Sequence, residues 1–555
     1  MSFAMAMKAV LGCAGFGFIC KAHLEMNRKE RLDHLKSENF DVLVVGGGAT
    51  GAGTALDAVS RGLKVALIDS GDFGGGSSSR STKLIHGGVR YLELAFKKLD
   101  FQQFSLVKDA LNERERLLRI APFLGKSLEI VTPLYSLSDI PYYTAGLKLY
   151  DWVARKSSLG KSRFLSSREV IEKCPLVATK GLRGGVSYFD GQFNDARFNI
   201  LLATTASRLG ATVSNYLSLI AFEKQGERIV GAVVRDSLAK EDFVIKARSF
   251  VNATGPFADK IRILDHCESE PILSVSSGTH IVVAGSYLRD SGILIPKTLD
   301  KRVIFMLPWL NHTLIGTTEN ASQTAVNPQP LASDFEYLLE QMNPFLQKPL
   351  GTDDILAAWT GLRPLVSDKG QSSSRLSRDH YVEVSPSGLV TIVGGKWTTY
   401  RLMARDTIDT IVQTHRLAVG GSQTHQILLD GAEGFHWSLV DQIQQKSGIS
   451  QDSARHIVSH YGTFSLALLE GGPCQKIHPD LPYLLAEVDY SVNHEFVTTP
   501  VDFLTRRVRI GFLDDARYRE CIRVVASRLS FLFSWNQAEE EEQVRAAYDY
   551  FKAFH

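Results

Sequence analysis

The sequence lacks paired cysteines. Its six, Cys13, Cys20, Cys174, Cys267, Cys474 and Cys521, are scattered with no Cys-x-x-Cys among them. That argues against a disulfide framework, a structural zinc site and an iron–sulfur cluster, and it points to a reducing compartment. An excess of either charge is also missing. Lys+Arg 62 against Asp+Glu 60 leaves a net charge of +2, which is not the balance of a chain that coats nucleic acid. No internal repeat and no low-complexity linker breaks the chain. Beyond the first residues, no segment is long and apolar enough for a transmembrane helix. What is present is a 555-residue chain, 44% hydrophobic and 22% charged. That composition is globular, with length for two to four domains at roughly 150 residues each.

The N-terminus differs from the rest. Met1–Leu24 holds no acid and two lysines, Lys8 and Lys21, and Ala9–Cys20 is an unbroken apolar and small run. An organelle-targeting leader, a weak membrane anchor and a secretory h-region compete as readings. The missing acids favour a transit segment; the scarcity of Arg and Ser counts against it. Residues 1–38 are set apart as a targeting or anchor segment, and folding is expected to begin near Asn39, after the charged stretch Glu25–Glu38.

Asp41–Val45 is a β-branched apolar run of the kind buried in parallel sheets. It leads into Gly46-Gly47-Gly48-Ala49-Thr50-Gly51, then a helical stretch, Ala52–Arg61, ended by Gly62, then a strand, Lys64–Ile68, closed by Asp69. This is a β–turn–α–β unit with a dinucleotide fingerprint. Gly46 permits the tight turn, Gly48 lets backbone approach a pyrophosphate, Gly51 lets helix pack on strand, and Asp69 can accept from a ribose hydroxyl. An acid there repels a 2′-phosphate, so FAD or NAD is favoured over NADP. Asp72–Leu92 decides between them. It is long, rich in glycine and hydroxyls, and contains Ser78, Ser79, Arg80, Ser81, Thr82, Lys83 and His86. Nicotinamide dehydrogenases need no such segment after the second strand; ribityl and phosphate oxygens of FAD do.

Further strands are expected at Ser249–Ala253 and Leu389–Val393, each running into a glycine turn, with β-rich stretches at Thr279–Ala284 and Val303–Leu307. Asp100–Ile120 reads as a helix. Thr499-Pro500-Val501-Asp502 reads as a helix start, and Ser534 as the cap of a last helix through Phe551. From about Gly421 no glycine-ended strand appears.

These stretches resemble the FAD-dependent glycerol-3-phosphate dehydrogenase family, the quinone-linked enzymes of mitochondria and bacterial inner membranes. The resemblance is carried by Ser78–Tyr91, Asp190-Gly191-Gln192, Asn194–Arg197, Asn252–Phe257 and Ser277-Gly278-Thr279-His280. It continues through Lys301–Phe305, Gly316-Thr317-Thr318, Gly361–Leu365 and Gly394–Arg401. Phe123, where the family usually has His, and Glu319, where Asp is usual, depart from the pattern. No EF-hand loop pattern, which eukaryotic members often carry, occurs up to His555.

The resemblance implies an α/β fold of glutathione-reductase or amino-acid-oxidase type, with a Rossmann-like FAD domain, a mixed-sheet substrate cap and a C-terminal all-helical domain. The expected division gives the FAD domain 39–115, 190–270 and 356–420, the cap 116–189 and 271–355, and the helical domain 421–555. It also implies oxidation of sn-glycerol 3-phosphate by hydride transfer from C2 to flavin N5, with electrons passed to ubiquinone. An oxidase using oxygen, or a silent FAD-binding scaffold, are the alternatives. Phosphate clamping is assigned to Arg90, Tyr91 and Arg302, with His280 beside the substrate. For proton removal His86 and His280 both qualify, with His86 placed in the catalytic set, and charge stabilisation falls to Arg363 and Lys396. Gly255, Gly394, Gly395, Lys396 and Thr398 join the cofactor set. The expected setting is the mitochondrial inner membrane, bound peripherally; a homodimer is left open. Ile140–Ser157, with Tyr142, Tyr143, Tyr150 and Trp152, reads either as a membrane-interface stretch or as cap packing. His456 and His460 are spaced for a metal pair but lack a third ligand, and no metal is expected.

Overall fold

The computed structural model describes residues 26–87, 101–154, 157–296, 298, 300, 302–367 and 380–551. Val42, Leu43 and Val44 are fully buried, because their strand, Asn39–Val45, lies in the middle of a sheet covered on both faces. Val65–Ile68 and then Thr212–Ser214 pair parallel to it on one side. On the other side come Glu241–Asn252 and Leu389–Gly394, also parallel. His380–Val384 closes that edge antiparallel. Leu217–Gln225 and Arg228–Asp236 extend Glu241–Asn252 as an antiparallel flap. The helices Ala49–Ser60, Asp195–Arg208 and Tyr400–His415 contribute to one apolar cluster beneath the sheet.

A second, mixed sheet forms the cap. Leu273–Ala284 is its spine, paired along its length with Ala357–Val366 and with His312–Gly316. The sheet continues through Ile304–Trp309, Gly292–Ile295, Gly125–Leu134, Gly184–Phe193 and Leu84–Ile85. Ala357–Val366 was expected with the cofactor domain; its backbone pairing puts it in the cap sheet. Beyond Leu389–Gly394 the described chain is helical, from Leu439–Ser447 through Asp515–Phe533 to Gln537–Tyr550.

Two boundaries differ from the sequence reading. A helix, Arg28–Ser37, precedes the first strand and packs on the sheet. Arg28 donates to the Asn215 carbonyl at 2.8 Å and pairs with Asp236 at 2.9 Å. Leu35 is fully buried. The helix is closed by an Asn27/Glu30 capping box, a pattern visible in sequence. Folding therefore begins by Asn27, within the stretch that was set apart as a leader. We expect Leu35→Ala to cost about 2–4 kcal/mol of stability, read as a lower Tm; an unchanged Tm would mean that the helix is an accessory. At the other end, Ser534 is the left-handed C-cap of Asp515–Phe533 (φ 57), and Asn536 caps the last helix in a box with Glu539. Thr499 caps as expected, but the helix widens into a π turn, Phe503–Arg507.

Candidate functional site

The four parallel strands that carry glycine turns or acids all end at one edge of the sheet, where ligands of open α/β sheets bind. Gly46 has φ +103, and a Cβ there would lie 2.6 Å from the Ala253 carbonyl oxygen. A Cβ at Gly51 would overlap the Gly46 carbonyl. Gly48 has an ordinary φ of −72 and serves as N-cap of Ala49–Ser60 with no side chain of its own. The amide of Ala49 donates instead to Ser78 Oγ at 2.9 Å. Asp69 Oδ2 accepts from Gly47 N at 2.6 Å and Oδ1 from Gly71 N at 2.9 Å. Burial holds the Asp69 carboxyl up at about 6, against those two amides. Gly255 (φ +58), Gly394 (φ +77) and Gly395 (φ +67) sit at the ends of the neighbouring strands. This edge is a cradle of amides, a helix N-terminus, a hydroxyl and a carboxylate, which fits a dinucleotide.

The segment after Asp69 divides its work. Ser78 is fixed by Trp397, whose Nε1 donates to the Ser78 carbonyl at 2.8 Å. Arg80, Ser81 and Lys83 differ from expectation, because their side chains are committed to the interior, whereas the buried Ser79 hydroxyl has no protein partner. Arg80 donates to the Thr360 carbonyl, Asn327 Oδ1 and Tyr550 OH. Ser81 Oγ and Lys83 Nζ both donate to Asp195 Oδ2, at 2.7 Å each. Burial drops the Lys83 ammonium to about 7 despite that carboxylate. The Ser79 carbonyl accepts from Lys83 Nζ and Arg509, and its hydroxyl is buried. Buried charges need partners, and these have found them within the protein.

Thr82 and His86 lie beside other candidate residues. Thr82 Oγ1 lies 3.0 Å from His280 Nε2. His280 stacks on Trp359, centroids 4.2 Å apart and 20° from parallel. Burial, with Lys83 and Arg363 nearby, keeps its imidazole well below the usual range and therefore neutral. His280 Nδ1 is buried without a protein partner. Arg363 comes from the adjacent strand and reaches the Ser277 carbonyl at 3.2 Å and Thr317 Oγ1 at 3.1 Å. Gly278 makes room for its guanidinium, and Gly316 for the His280 ring. Arg302 lies near enough to depress the Arg363 pKa after burial has done so. It pairs with Asp300 at 3.1 Å, with its side chain 41% exposed, at the rim. His86 feels Lys396 and Arg114, and burial is the main cause that lowers its pKa to about 4. The Thr398 hydroxyl donates to the His86 carbonyl at 3.5 Å. His280, Arg302 and Arg363 thus come together, as do His86, Lys396 and Thr398, and Thr82 joins the two groups. Arg90 and Tyr91 lie outside the described residues.

Sequence reasoning missed the supports. Arg114 donates to Asp190 Oδ1 at 2.6 Å, Tyr150 OH donates to the same oxygen at 2.9 Å, and Gly87 N donates to Tyr150 OH at 3.0 Å. Tyr150 therefore braces the His86 segment from inside. Of the aromatics on its helix, Asp139–Ala154, only Tyr142 and Trp152 are largely exposed. His456 is paired with Glu487 at 2.8 Å, and no metal-binding cluster exists among the described residues.

A family model described as FAD dependent oxidoreductase matches residues 41–401, and one described as the C-terminal domain of alpha-glycerophosphate oxidase matches 422–540. The probable mitochondrial glycerol-3-phosphate dehydrogenase of Caenorhabditis elegans is 42% identical over 539 residues, covering 94% of this chain and 74% of that one. The mitochondrial glycerol-3-phosphate dehydrogenase of Homo sapiens is 41% identical over 530 residues, 92% of this chain and 73% of that one. Among solved structures, the glycerol-3-phosphate dehydrogenase of Bacillus halodurans complexed with FAD superposes with a TM-score of 0.77 at 29% identity, over 94% of this chain and 96% of that one. FAD is the cofactor these matches carry, and the cradle has the donors and acceptors to hold it. With its dinucleotide edge, its cap and its helical C-terminal domain, the chain belongs to the FAD-dependent glycerol-3-phosphate dehydrogenase family.

Proposed function

We propose that the chain oxidises sn-glycerol 3-phosphate to dihydroxyacetone phosphate and delivers the electrons to ubiquinone, as a peripheral protein of the mitochondrial inner membrane. The observation that carries it is the cluster of Arg302, Arg363 and His280 across the Thr82–His86 segment from Lys396. Held along the sheet edge, FAD would supply the flavin that takes up the C2 hydride and passes the electrons on. The chain's own residues do the rest. The Gly48 amide, at the N-terminus of Ala49–Ser60, and the Ser78 hydroxyl hold the pyrophosphate, and Asp69 accepts from the ribose. The Gly394–Thr398 turn holds the ribityl side. Arg302, at the rim, takes the substrate phosphate together with Arg90 and Tyr91. Arg363 holds the oxygen on C2 as it gains negative charge. His86 Nε2 or Nδ1, neutral, takes the hydroxyl proton.

The setting rests on relatives named as mitochondrial. No helix among the described residues is long and apolar enough to cross a membrane. The test is anaerobic addition of glycerol 3-phosphate to the yellow protein. Bleaching that a quinone reverses, and oxygen reverses poorly, is the expected result. Fast recovery with oxygen alone would favour an oxidase, and no bleaching would leave a scaffold.

A pH dependence follows from His86. A base must be unprotonated, and with its pKa at about 4 His86 is ready across the neutral range. The acid limb of the bleaching rate is therefore expected near pH 4, lost as pH falls through it. In Lys396→Ala, removal of a neighbouring cation should move that limb upward. Persistence of the same limb in His86→Ala would remove His86 from the role.

A further inference from the structure

One short stretch of the helical C-terminal domain meets the cofactor edge with three arginines. The π turn Phe503–Arg507 is followed by a left-handed residue, Arg509 (φ 70). Arg506, Arg507 and Arg509 are all buried by this path. Arg506 Nε donates to Asp72 Oδ2. Arg507 grips the same carboxylate with two prongs, to Oδ2 at 2.7 Å and to Oδ1 at 3.0 Å. Arg509 donates to the Ser79 carbonyl at 2.7 Å.

Both anchor points adjoin cofactor contacts. Asp72 follows Gly71, whose amide orients Asp69 Oδ1 at 2.9 Å. Ser79 follows Ser78, whose hydroxyl meets Ala49 N at 2.9 Å. The intervening chain includes Gly74, Gly75 and Gly76, glycines that add backbone freedom the loop must lose; Gly74 N, which donates to the Gly47 carbonyl at 3.2 Å, and the Trp397 bond to the Ser78 carbonyl restrain it as well. A loop held in its binding conformation loses less freedom when a ligand arrives.

We propose that the C-terminal domain is a working part of the FAD site, with Arg506, Arg507 and Arg509 as positioning residues that hold both ends of the Asp69–Ser79 loop in its binding form. This goes beyond the reaction and rests on the assignment of Asp69 and Ser78 to FAD. The charges facing Asp69 act in the same sense: Asp72 pushes its carboxyl up and Arg506 draws it down. An unpaired Asp72 would favour a protonated Asp69, a poorer acceptor for ribose.

The experiment compares the full-length wild type with Arg507→Lys, Arg509→Lys, Asp72→Asn and the Arg507→Lys/Asp72→Asn double variant. It reads the FAD Kd of the deflavinated proteins, their Tm without FAD, and the KM for glycerol 3-phosphate after reloading with excess FAD. Each single variant should raise the FAD Kd tenfold or more, with KM within twofold of wild type. The double variant should be no weaker than the worse single one. Arg506→Gln, by removing a cation that draws the Asp69 carboxyl down, should move the acid limb of FAD binding upward. Folded Arg507→Lys and Arg509→Lys proteins that bind FAD within twofold of wild type would overturn the proposal, as would a fall in Tm with no change in FAD Kd. If one of the two does not fold, the other decides alone on the same criterion. Asp69→Asn separates the two levels. If it leaves FAD binding unchanged, the site assignment falls; if it weakens FAD while the arginine variants do not, only the present inference falls.

Discussion

Gly48→Val should fold and emerge colourless. Its φ of −72 suits any residue, and a Cβ would meet only Ser78 Oγ, at 2.9 Å, a hydroxyl that can turn away. The added isopropyl group then occupies the space through which a pyrophosphate reaches the Ala49 amide and the helix N-terminus. Charge-assisted hydrogen bonds are worth about 1.5–3 kcal/mol each, so losing two costs about 3–6 kcal/mol. That is on the order of a hundredfold to ten-thousandfold in affinity. Gly51→Val is the contrast. Its Cβ overlaps the Gly46 carbonyl, so that variant should fail to accumulate as folded protein. Absorbance at the flavin band, together with Tm, separates the outcomes. A yellow, stoichiometrically loaded Gly48→Val protein would contradict the reading of the turn.

The second large effect divides the arginines. Arg302 is at the rim, paired with Asp300 and the Glu319 carbonyl, and a phosphate distant from C2 is bound equally in ground and transition states. Arg302→Ala should therefore raise KM by about tenfold to a hundredfold and spare kcat. Arg363 is walled in by Ser277, Thr317 and Thr318, and Lys396 neighbours His86. In the proposed substrate orientation both stand where charge changes during reaction. Their alanine variants should slow bleaching at saturating substrate by about a hundredfold to a thousandfold. Stopped-flow bleaching against substrate concentration gives both numbers. Should Arg302→Ala slow the saturated rate while Arg363→Ala and Lys396→Ala only weaken binding, the assumed orientation of the substrate is reversed.

The cofactor edge was legible in sequence because its logic is local. Gly46, Gly48, Gly51 and Asp69 lie within one β–α–β unit, and each glycine answers a steric demand that spacing alone reveals. The cap pairings were less so. Ala357–Val366 is an ordinary apolar run, and only its partner, Leu273–Ala284, makes it a cap strand. The arginine anchors were invisible for the same reason: Arg507 and Asp72 are 435 residues apart, and no local pattern joins them. Arg80, Ser81 and Lys83 carried the right residue types for a ligand, but burial turned them toward Asp195 and the cap. The Arg28–Ser37 helix lacks an apolar stripe, so its charge disguised it, although its capping box was in plain view.

The central sheet has a consequence for biogenesis. Asn39–Val45 is flanked on one side by Glu241–Asn252, which itself waits for Leu389–Gly394. At about 5–20 residues per second, a ribosome needs on the order of tens of seconds to make the last of these strands after the first has emerged. Over the first part of that interval the valine-rich first strand has an unpaired edge, and over the rest Glu241–Asn252 has one, the kind of edge that recruits the wrong neighbour. The sheet is therefore complete only once Leu389–Gly394 has been made, a longer wait than a domain of equal size with contiguous strands would have.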